Sequence, residues 1–355
     1  MNPEAPLPLI SIVIPCFNAC ELLADMLDCI LAQTYPHWEL LLVDDGSTDG
    51  TADVIKGYQR RDNRIHLIVR NRPPKGSTTC RNIGYEQSRG KYVMHLDADD
   101  LLSPTCFEHR VAFMERHPDA DYASFPVKGF SDPQHLPVYS VKGRTWGAAN
   151  PYNDLLTSFL RADYPFSVWC NIYRRDAIDG LRWDENVKIY TDFSYITTGI
   201  LMGLRHQFSQ STQVDYYYRI TIRDNMCSTF TSSEKTTSTI YLFTKTLDAL
   251  KLTPAYGKYK RAFLGLGLLH YERLLTGASE ADVNAYLQFM ATYYAFPIVL
   301  ALRSIACVVL SIAAPGARKR AAYVLLGLCF QQRLLAERLW CHFQQRIDSR
   351  CKVKS

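Results

Sequence analysis

The chain has 355 residues, 47% of them apolar and 21% charged, a balance that excludes a disordered or fibrous protein and leaves room for a large α/β domain with a smaller appendage. The net charge of +5 is mild, but residues 315–355 carry nine Lys/Arg against two Asp/Glu, so the excess sits at the end of the chain. Eleven scattered cysteines with no C-x-x-C pair read as reduced thiols, and Met1-Asn2-Pro3-Glu4 lacks the basic and apolar regions of a signal peptide; cytoplasmic synthesis and residence are expected.

Residues 9–14 (LISIVI) form a β-branched run closed by Pro15, and Leu23, Met26, Leu27, Ile30 and Leu31 then recur at helical spacing. Strand followed by amphipathic helix is the reading. The alternation continues with a strand over Glu39–Val43, a helix from about Thr51 to Gln59, a strand over Ile65–Val69, a helix from about Thr78 to Gln87 and a strand over Tyr92–Leu96. Such alternation predicts parallel strands joined by crossover helices, with ligands at the carboxyl ends of the strands. The first strand ends at Pro15-Cys16-Phe17-Asn18, the second at Asp44-Asp45-Gly46-Ser47 and the fourth at Asp97-Ala98-Asp99-Asp100, so acids gather where a doubly wound sheet holds its ligand. A plainer alternative is that Asp45, Ser47 and Asp49 only shape a turn and cap the next helix.

A helix is predicted from Pro104 through about Arg116, then a strand near Tyr122–Phe125. From about Phe130 to Pro165 the chain is rich in Pro and Gly, as in a variable lobe over a second substrate. Strand-like runs return at Val168–Tyr173 and Val214–Ile220, with a helix after Asp192 between them. From about Ser233 the pattern is long helices. Ala295–Ala314 is almost wholly apolar and long enough to span a bilayer. Arg303 near its middle would cost roughly 2.5–3.5 kcal/mol on insertion, and Pro315-Gly316 breaks it from a second apolar run, Ala321–Phe330. Two helices in the membrane interface, with Arg318, Lys319 and Arg320 toward lipid phosphates, fit these features better than a span; a helical core or dimer interface is the alternative.

The D-x-D at Asp97-Ala98-Asp99 answers a specific need. A nucleoside diphosphate is multiply anionic, and Mg²⁺ or Mn²⁺ is held by one or two carboxylates together with phosphate oxygens. On strand alternation Asp97 and Asp99 share one side, so one carboxylate can face the ribose and the other the metal. The apolar strand YVMHL runs straight into the pair. No histidine pair has zinc-ligand spacing, and no G-x-x-x-x-G-K-[ST] phosphate loop is present.

Five motifs in order, SIVIPCFN, Gln33-Thr34-Tyr35, ELLLVDDGSTDGT, Arg81-Asn82-Ile83-Gly84 and GKYVMHLDADD, resemble the family 2 glycosyltransferases over residues 9–104. A weaker continuation through VWCNIYRRDAI, Tyr190-Thr191-Asp192-Phe193 and YYYRI reaches about residue 225. The resemblance implies an inverting enzyme of bacterial surface-glycan type with a GT-A fold, a Rossmann-like mixed nucleotide-binding sheet. Residues 1–104 would form its nucleotide-binding half and residues 105–230 its acceptor-side half; the resemblance stops there, and the helical and membrane-surface reading of residues 231–355 rests on their own apolar and basic pattern.

Carried over by position, the resemblance implies that Pro15 and Phe17 lie along the nucleobase and that Asp45 accepts a hydrogen bond from a uracil-type base. It places Arg81 in support of the nucleotide site, Asp97 on the nucleotide side, Asp99 as the metal ligand and Asp192 as the catalytic base. Lys75 lies on a loop that could reach the phosphates. Thr191 stands where the family often has Glu, and Asp184 and Glu185 are the alternative bases. One base suffices for inversion, in contrast to the paired carboxylates of a glycoside hydrolase. Trp169 and Tyr173 could wall a sugar face, and Arg219 or Arg223 could close over the diphosphate. Expected partners are a nucleotide-sugar donor, chiefly a UDP-sugar, a glycan or lipid-linked acceptor and the membrane surface, with no nucleic acid; the expected cofactor is Mn²⁺ or Mg²⁺. A nucleotidyltransferase lacks support, since PCFNACE has no Gly-rich basic loop, and an inactive scaffold would show a broken D-x-D or a missing base.

Overall fold

The computed structural model describes residues 6–130, 154–220, 231–312 and 315–330. The expected loop-rich lobe at 130–165 and Arg223 therefore fall largely or wholly outside the described residues, as does most of the basic tail. The chain divides into two compact units: Met1–Leu155 with Tyr164–Arg223, and Leu156–Asp163 with Asp224–Ser355.

The first unit is built on β1 (Ile10–Cys16), α1 (Leu23–Leu31), β2 (Trp38–Asp44), α2 (Thr51–Gln59), β3 (Ile65–Val69), α3 (Ser77–Gln87) and β4 (Tyr92–His95). There follow β5 (Leu101–Leu102), α4 (Cys106–Arg116), β6 (Tyr122–Ser124) and β7 (Val127–Phe130). β8 (Asn171–Arg174), α6 (Thr191–Leu201), β9 (His206–Phe208) and β10 (Tyr216–Arg219) complete it, whereas the short helix α5 (Leu155–Leu160), before β8 in the chain, falls almost wholly in the second unit. The main sheet has the order β3-β2-β1-β4-β8-β6-β9, and β5-β10-β7 make a second, three-stranded sheet.

β1 is an interior strand that pairs in parallel with β2 and β4, so both of its edges are hydrogen-bonded, and residues of both its faces are buried, which suits its largely apolar sequence. Ile10, Ile12, Val13 and Ile14 are fully buried, each removing apolar surface worth about 1.5–3 kcal/mol from water. The order reverses between β1 and β4, because β2 and β3 extend to one side of β1 and β4 lies on the other. That reversal opens a crevice at the carboxyl ends of β1 and β4, the usual ligand site of such sheets. Beyond β4 the sheet becomes mixed: β8 is antiparallel to both β4 and β6.

The expected α/β architecture is present, with three local differences. The strand predicted over Val168–Tyr173 opens as a turn of 3-10 helix at Val168–Cys170, and only Asn171–Arg174 pair with β4 and β6. β4 ends at His95, although the Leu96 N–H still donates to the Val13 carbonyl at 3.1 Å. Leu101-Leu102 form a two-residue strand whose antiparallel partner, Tyr216-Tyr217, lies more than a hundred residues away.

The second unit carries α7 (Ser233–Lys251), α8 (Tyr256–Gly277), α9 (Glu280–Tyr293), α10 (Phe296–Leu310) and α11 (Pro315–Phe330). Ser232 and Ser279 accept from the N–H groups of Lys235 and Asp282 and so cap α7 and α9. Phe243, Phe263, Tyr271, Tyr286 and Met290 fill its core, where the Tyr271 and Tyr286 hydroxyls donate to the carbonyls of Leu302 and Gly267 at 2.8 and 2.9 Å. The apolar stretch after Ala295 is two-faced. Val299, Leu302, Ile305 and Val309 are buried, whereas Phe296, Leu300 and Val308 are exposed beside Arg303. Among the described residues no helix is long and apolar enough to cross a membrane. Arg318, expected to face lipid phosphates, instead donates to the carbonyls of Leu310 and Ile312 at the end of α10. A guanidinium satisfies carbonyls that a helix end leaves open.

Candidate active site

At the end of β2 the two adjacent acids part company. Asp44 closes the turn on itself, accepting from the Ser47 hydroxyl at 2.5 Å and from the Gly46 N–H at 3.2 Å, with Gly46 at φ +84°. Asp49 accepts from the Thr51 hydroxyl and the N–H groups of Thr51 and Cys20, so Ser47 and Asp49 take the turn-shaping role. Asp45 does not. Its N–H donates to the Cys16 carbonyl at the end of β1, and its carboxylate receives Arg70 Nε at 2.5 Å. Arg70 follows β3, the one nucleotide-side strand end whose chemistry the sequence reading passed over.

Pro15 and Phe17 lie beside Asp45 at the mouth of the crevice. Phe17 is 49% exposed, large for an aromatic residue, and the Lys75 ammonium stands 3.7 Å from its ring centroid. The nucleobase-side residues expected from sequence, Pro15, Phe17 and Asp45, therefore share one edge, with Arg70 added and with Lys75, expected at the phosphates, over the Phe17 ring.

The R-N-x-G run of α3 has four separate functions. Arg81, buried to 7% exposure, donates Nη2 to Asp97 Oδ1 at 2.5 Å and lies over the Trp183 ring at 4.6 Å. Asn82 brackets Trp183, donating to its carbonyl and accepting from its N–H, both at 2.9 Å. Ile83 enters the core, and Gly84 lets the helix lie directly on Val13 of β1. Glu185, an alternative base, receives Asn82 Nδ2 at 2.8 Å and Arg72 Nη2 at 3.1 Å.

Asp97, Ala98 and Asp99 follow β4 in a half-buried turn rather than on the strand, so pleat alternation does not orient the two acids. Their neighbours do: Arg81 takes the Asp97 carboxylate, and Arg219 Nε takes the Asp99 carbonyl at 2.5 Å. Burial, helped by the charges of Asp192 and Asp99 and opposed by Arg81, pushes the Asp97 carboxyl up to about 6. Burial also raises Asp99. Asp100 is fully buried; burial with the charges of Asp97 and Asp99 raises it well above the carboxylate range, and it accepts from Tyr216 Oη at 2.5 Å and the Arg219 N–H at 2.7 Å.

Asp192 sits in the first turn of α6, after Tyr190 at φ +58°. It receives the Ser167 hydroxyl, and its charge is felt at Asp97. Asp192 and Asp99 thus both lie near enough to Asp97 for their charges to act on it. Their excess of negative charge fits a divalent cation, which needs only one or two carboxylates when a diphosphate completes its shell. Among the described residues no group of three or more His, Cys, Asp or Glu could hold a metal by itself.

Two expectations need correction in geometry. Trp169, 8% exposed, stacks on Tyr216 and Tyr218 at centroid distances of 5.6 and 5.1 Å, and Tyr173 is buried against Tyr122; both rings are committed to aromatic packing. Arg219 turns inward, to the Asp99 carbonyl and to Asp25 Oδ2 at 3.0 Å, rather than out toward a diphosphate.

The family model described as glycosyl transferase family 2 matches residues 11–182. A putative teichuronic acid biosynthesis glycosyltransferase, TuaG, of Bacillus subtilis (strain 168) is 38% identical over 107 residues, 30% of this chain and 42% of that protein. The first curated relatives are spanned over only 42%, 31% and 61% of their own lengths. Among solved structures, S. aureus TarS 1–349 in complex with UDP-GlcNAc superposes with a TM-score of 0.60 at 18% identity, over 91% of this chain and 92% of that one. The mannosyltransferase PcManGT from Pyrobaculum calidifontis, in complex with GDP-Man and Mn²⁺, gives 0.53 at 19% identity, over 92% and 88%. At those identities the likeness is one of fold, the GT-A arrangement of mixed sheet and helical C-terminal region. Over residues 11–182, just under half of its length, this chain matches the model of glycosyl transferase family 2.

Proposed function

We propose that the chain transfers a sugar with inversion from a UDP-sugar to a hydroxyl of a glycan or lipid-linked acceptor in the synthesis of a bacterial surface glycan. The observation that supports this reading is that Asp97 and Asp99 follow β4 while Asp45 and Phe17 follow β2 and β1, with the charge of Asp192 acting on Asp97. In this reading residues 1–104 bind the nucleotide, residues 105–230 face the acceptor and residues 231–355 form a helical extension. The TuaG and TarS names support the surface-glycan acceptor and the UDP donor, and the PcManGT complex supports the metal.

Asp45 accepts a hydrogen bond from the base, Pro15 and Phe17 line it, and Lys75 reaches the phosphates. Arg81 holds Asp97 toward the ribose. Asp99 would hold a divalent cation, Mn²⁺ or Mg²⁺, which would supply neutralisation of the diphosphate. Asp192 removes the proton of the acceptor hydroxyl as its oxygen bonds to the anomeric carbon; the bond from that carbon to the diphosphate breaks, and UDP departs on the opposite face. Ser167 donates to Asp192 and so holds the carboxylate in place. Trp169, with Tyr216 and Tyr218, shapes the wall behind the site.

Asp192→Asn tests the base directly. Donor affinity by calorimetry should stay within about twofold while transfer falls roughly 10²–10⁴-fold, the usual contribution of general base catalysis. Transfer at the wild-type rate would remove Asp192 from the mechanism.

A further inference from the structure

We propose that Arg219, with Asp25 and the Tyr216–Asp100 pair, is a clamp that sets Asp99 for a divalent cation. The proposal rests on the reading of Asp99 as the metal-side acid. Three contacts converge on the acid turn from β10, and a fourth ties Arg219 to Asp25 of α1. Arg219 Nε donates to the Asp99 carbonyl at 2.5 Å, and Arg219 Nη2 reaches Asp25 Oδ2 at 3.0 Å. The Arg219 N–H donates to Asp100 Oδ1 at 2.7 Å, and Tyr216 Oη donates to Asp100 Oδ2 at 2.5 Å. The guanidinium also lies 4.7 Å from the Phe130 ring centroid and is 9% exposed. β10 continues the grip, since Tyr216 and Tyr217 pair with Leu102 and Leu101, and the Asp215 carbonyl accepts from the Ser103 N–H.

Residues 99–103 are therefore held along their length by one strand. A turn carrying three close carboxyls gains nothing from its own charges by staying ordered, and a free backbone would lose conformational freedom on metal binding. Arg219 meets that requirement before the cation arrives. Its planar fork spans the Asp99 carbonyl and Asp25 together, which a single ammonium does not. Arg219, Tyr216 and Asp25 are positioning residues on this reading, because they act through Asp99.

The test is Mn²⁺ binding by the full chain in the presence of UDP, read from the electron paramagnetic resonance of free Mn²⁺, for wild type, Arg219→Gln and Asp25→Asn. Outer-shell partners of metal ligands are commonly worth 10–100-fold in affinity. Arg219→Gln should weaken Mn²⁺ by about that factor and Asp25→Asn by less, while UDP affinity at saturating Mn²⁺ stays within about twofold for both. The split matters, because general loosening of the fold would weaken both ligands together and would overturn the clamp. Unchanged Mn²⁺ affinity with weaker UDP binding would also overturn it, making Arg219 a diphosphate contact. Asp25 is 47% exposed in its side chain, so Asp25→Asn gives the same reading if Arg219→Gln does not fold. A wild-type chain that binds UDP but no Mn²⁺ would overturn the metal reading of Asp99 and the clamp with it; one whose Mn²⁺ affinity survives both substitutions would overturn the clamp alone.

Discussion

Asp97 has one cationic neighbour, Arg81, and two anionic ones, Asp99 and Asp192. Its carboxyl is pushed up to about 6 in the fold against an ordinary 3.8, so between those values the folded chain keeps a proton that the unfolded chain has released. The stability this contributes is complete below the unfolded value and is lost as pH rises through about 6. The melting temperature of metal-free protein should accordingly fall between pH 5 and pH 7.5, and Asp97→Asn should flatten that slope. Mn²⁺ should raise the melting temperature more at pH 7.5 than at pH 5, since it replaces the missing positive charge. A pH slope in Asp97→Asn equal to that of wild type would contradict the assignment.

At the scale of elements, the contact of α3 with β1 depends on Gly84. A methyl built there collides with Val13 Cγ1 and stands 3.3 Å from Val43 Cγ2, both on fully buried strands. Gly84→Ala should destabilise the chain by about 1–3 kcal/mol in a denaturant melt, as overpacking does. Gly57→Ala on α2, where the nearest atom is the flexible end of Arg60 at 4.0 Å, should stabilise it by about 0.5–1 kcal/mol. Equal effects at the two positions would place the origin in helix propensity alone.

Much of this level was legible in sequence. LISIVI reads as a β-branched strand, and the β2 and β4 termini carry their acids in plain view. The remainder depends on distant partners. Nothing local to Leu101-Leu102 announces a strand, because its partner is Tyr216-Tyr217, and nothing near Arg219 announces that its donors turn toward Asp99 and Asp25. Val168–Cys170 carry strand-type residues, yet they turn as 3-10 helix. Arg70 was readable as the residue after β3, but its tie to Asp45 follows only from β2 and β3 lying side by side.

At the scale of the whole molecule, the two units call for different tests. In the second, Phe296, Leu300 and Val308 are exposed on α10 beside Arg303, and Lys319 is exposed on α11. An apolar helix face edged with cations suits an anionic lipid surface. Phe296→Ser with Leu300→Ser should reduce co-sedimentation with phosphatidylglycerol vesicles and leave the melting temperature unchanged. Undiminished sedimentation would contradict interfacial binding through α10. The match to the family model covers residues 11–182, and it leaves donor and acceptor to chemistry. The most direct measurement is nucleotide release from a panel of UDP-sugars with surface-glycan acceptors, with Mn²⁺ and with the metal chelated. Acceptor-stimulated UDP release from one donor, abolished by chelation and restored by Mn²⁺, is the expected result; no release with any donor and acceptor, or release indifferent to the metal, would contradict a metal-dependent sugar transfer at Asp97-Ala98-Asp99.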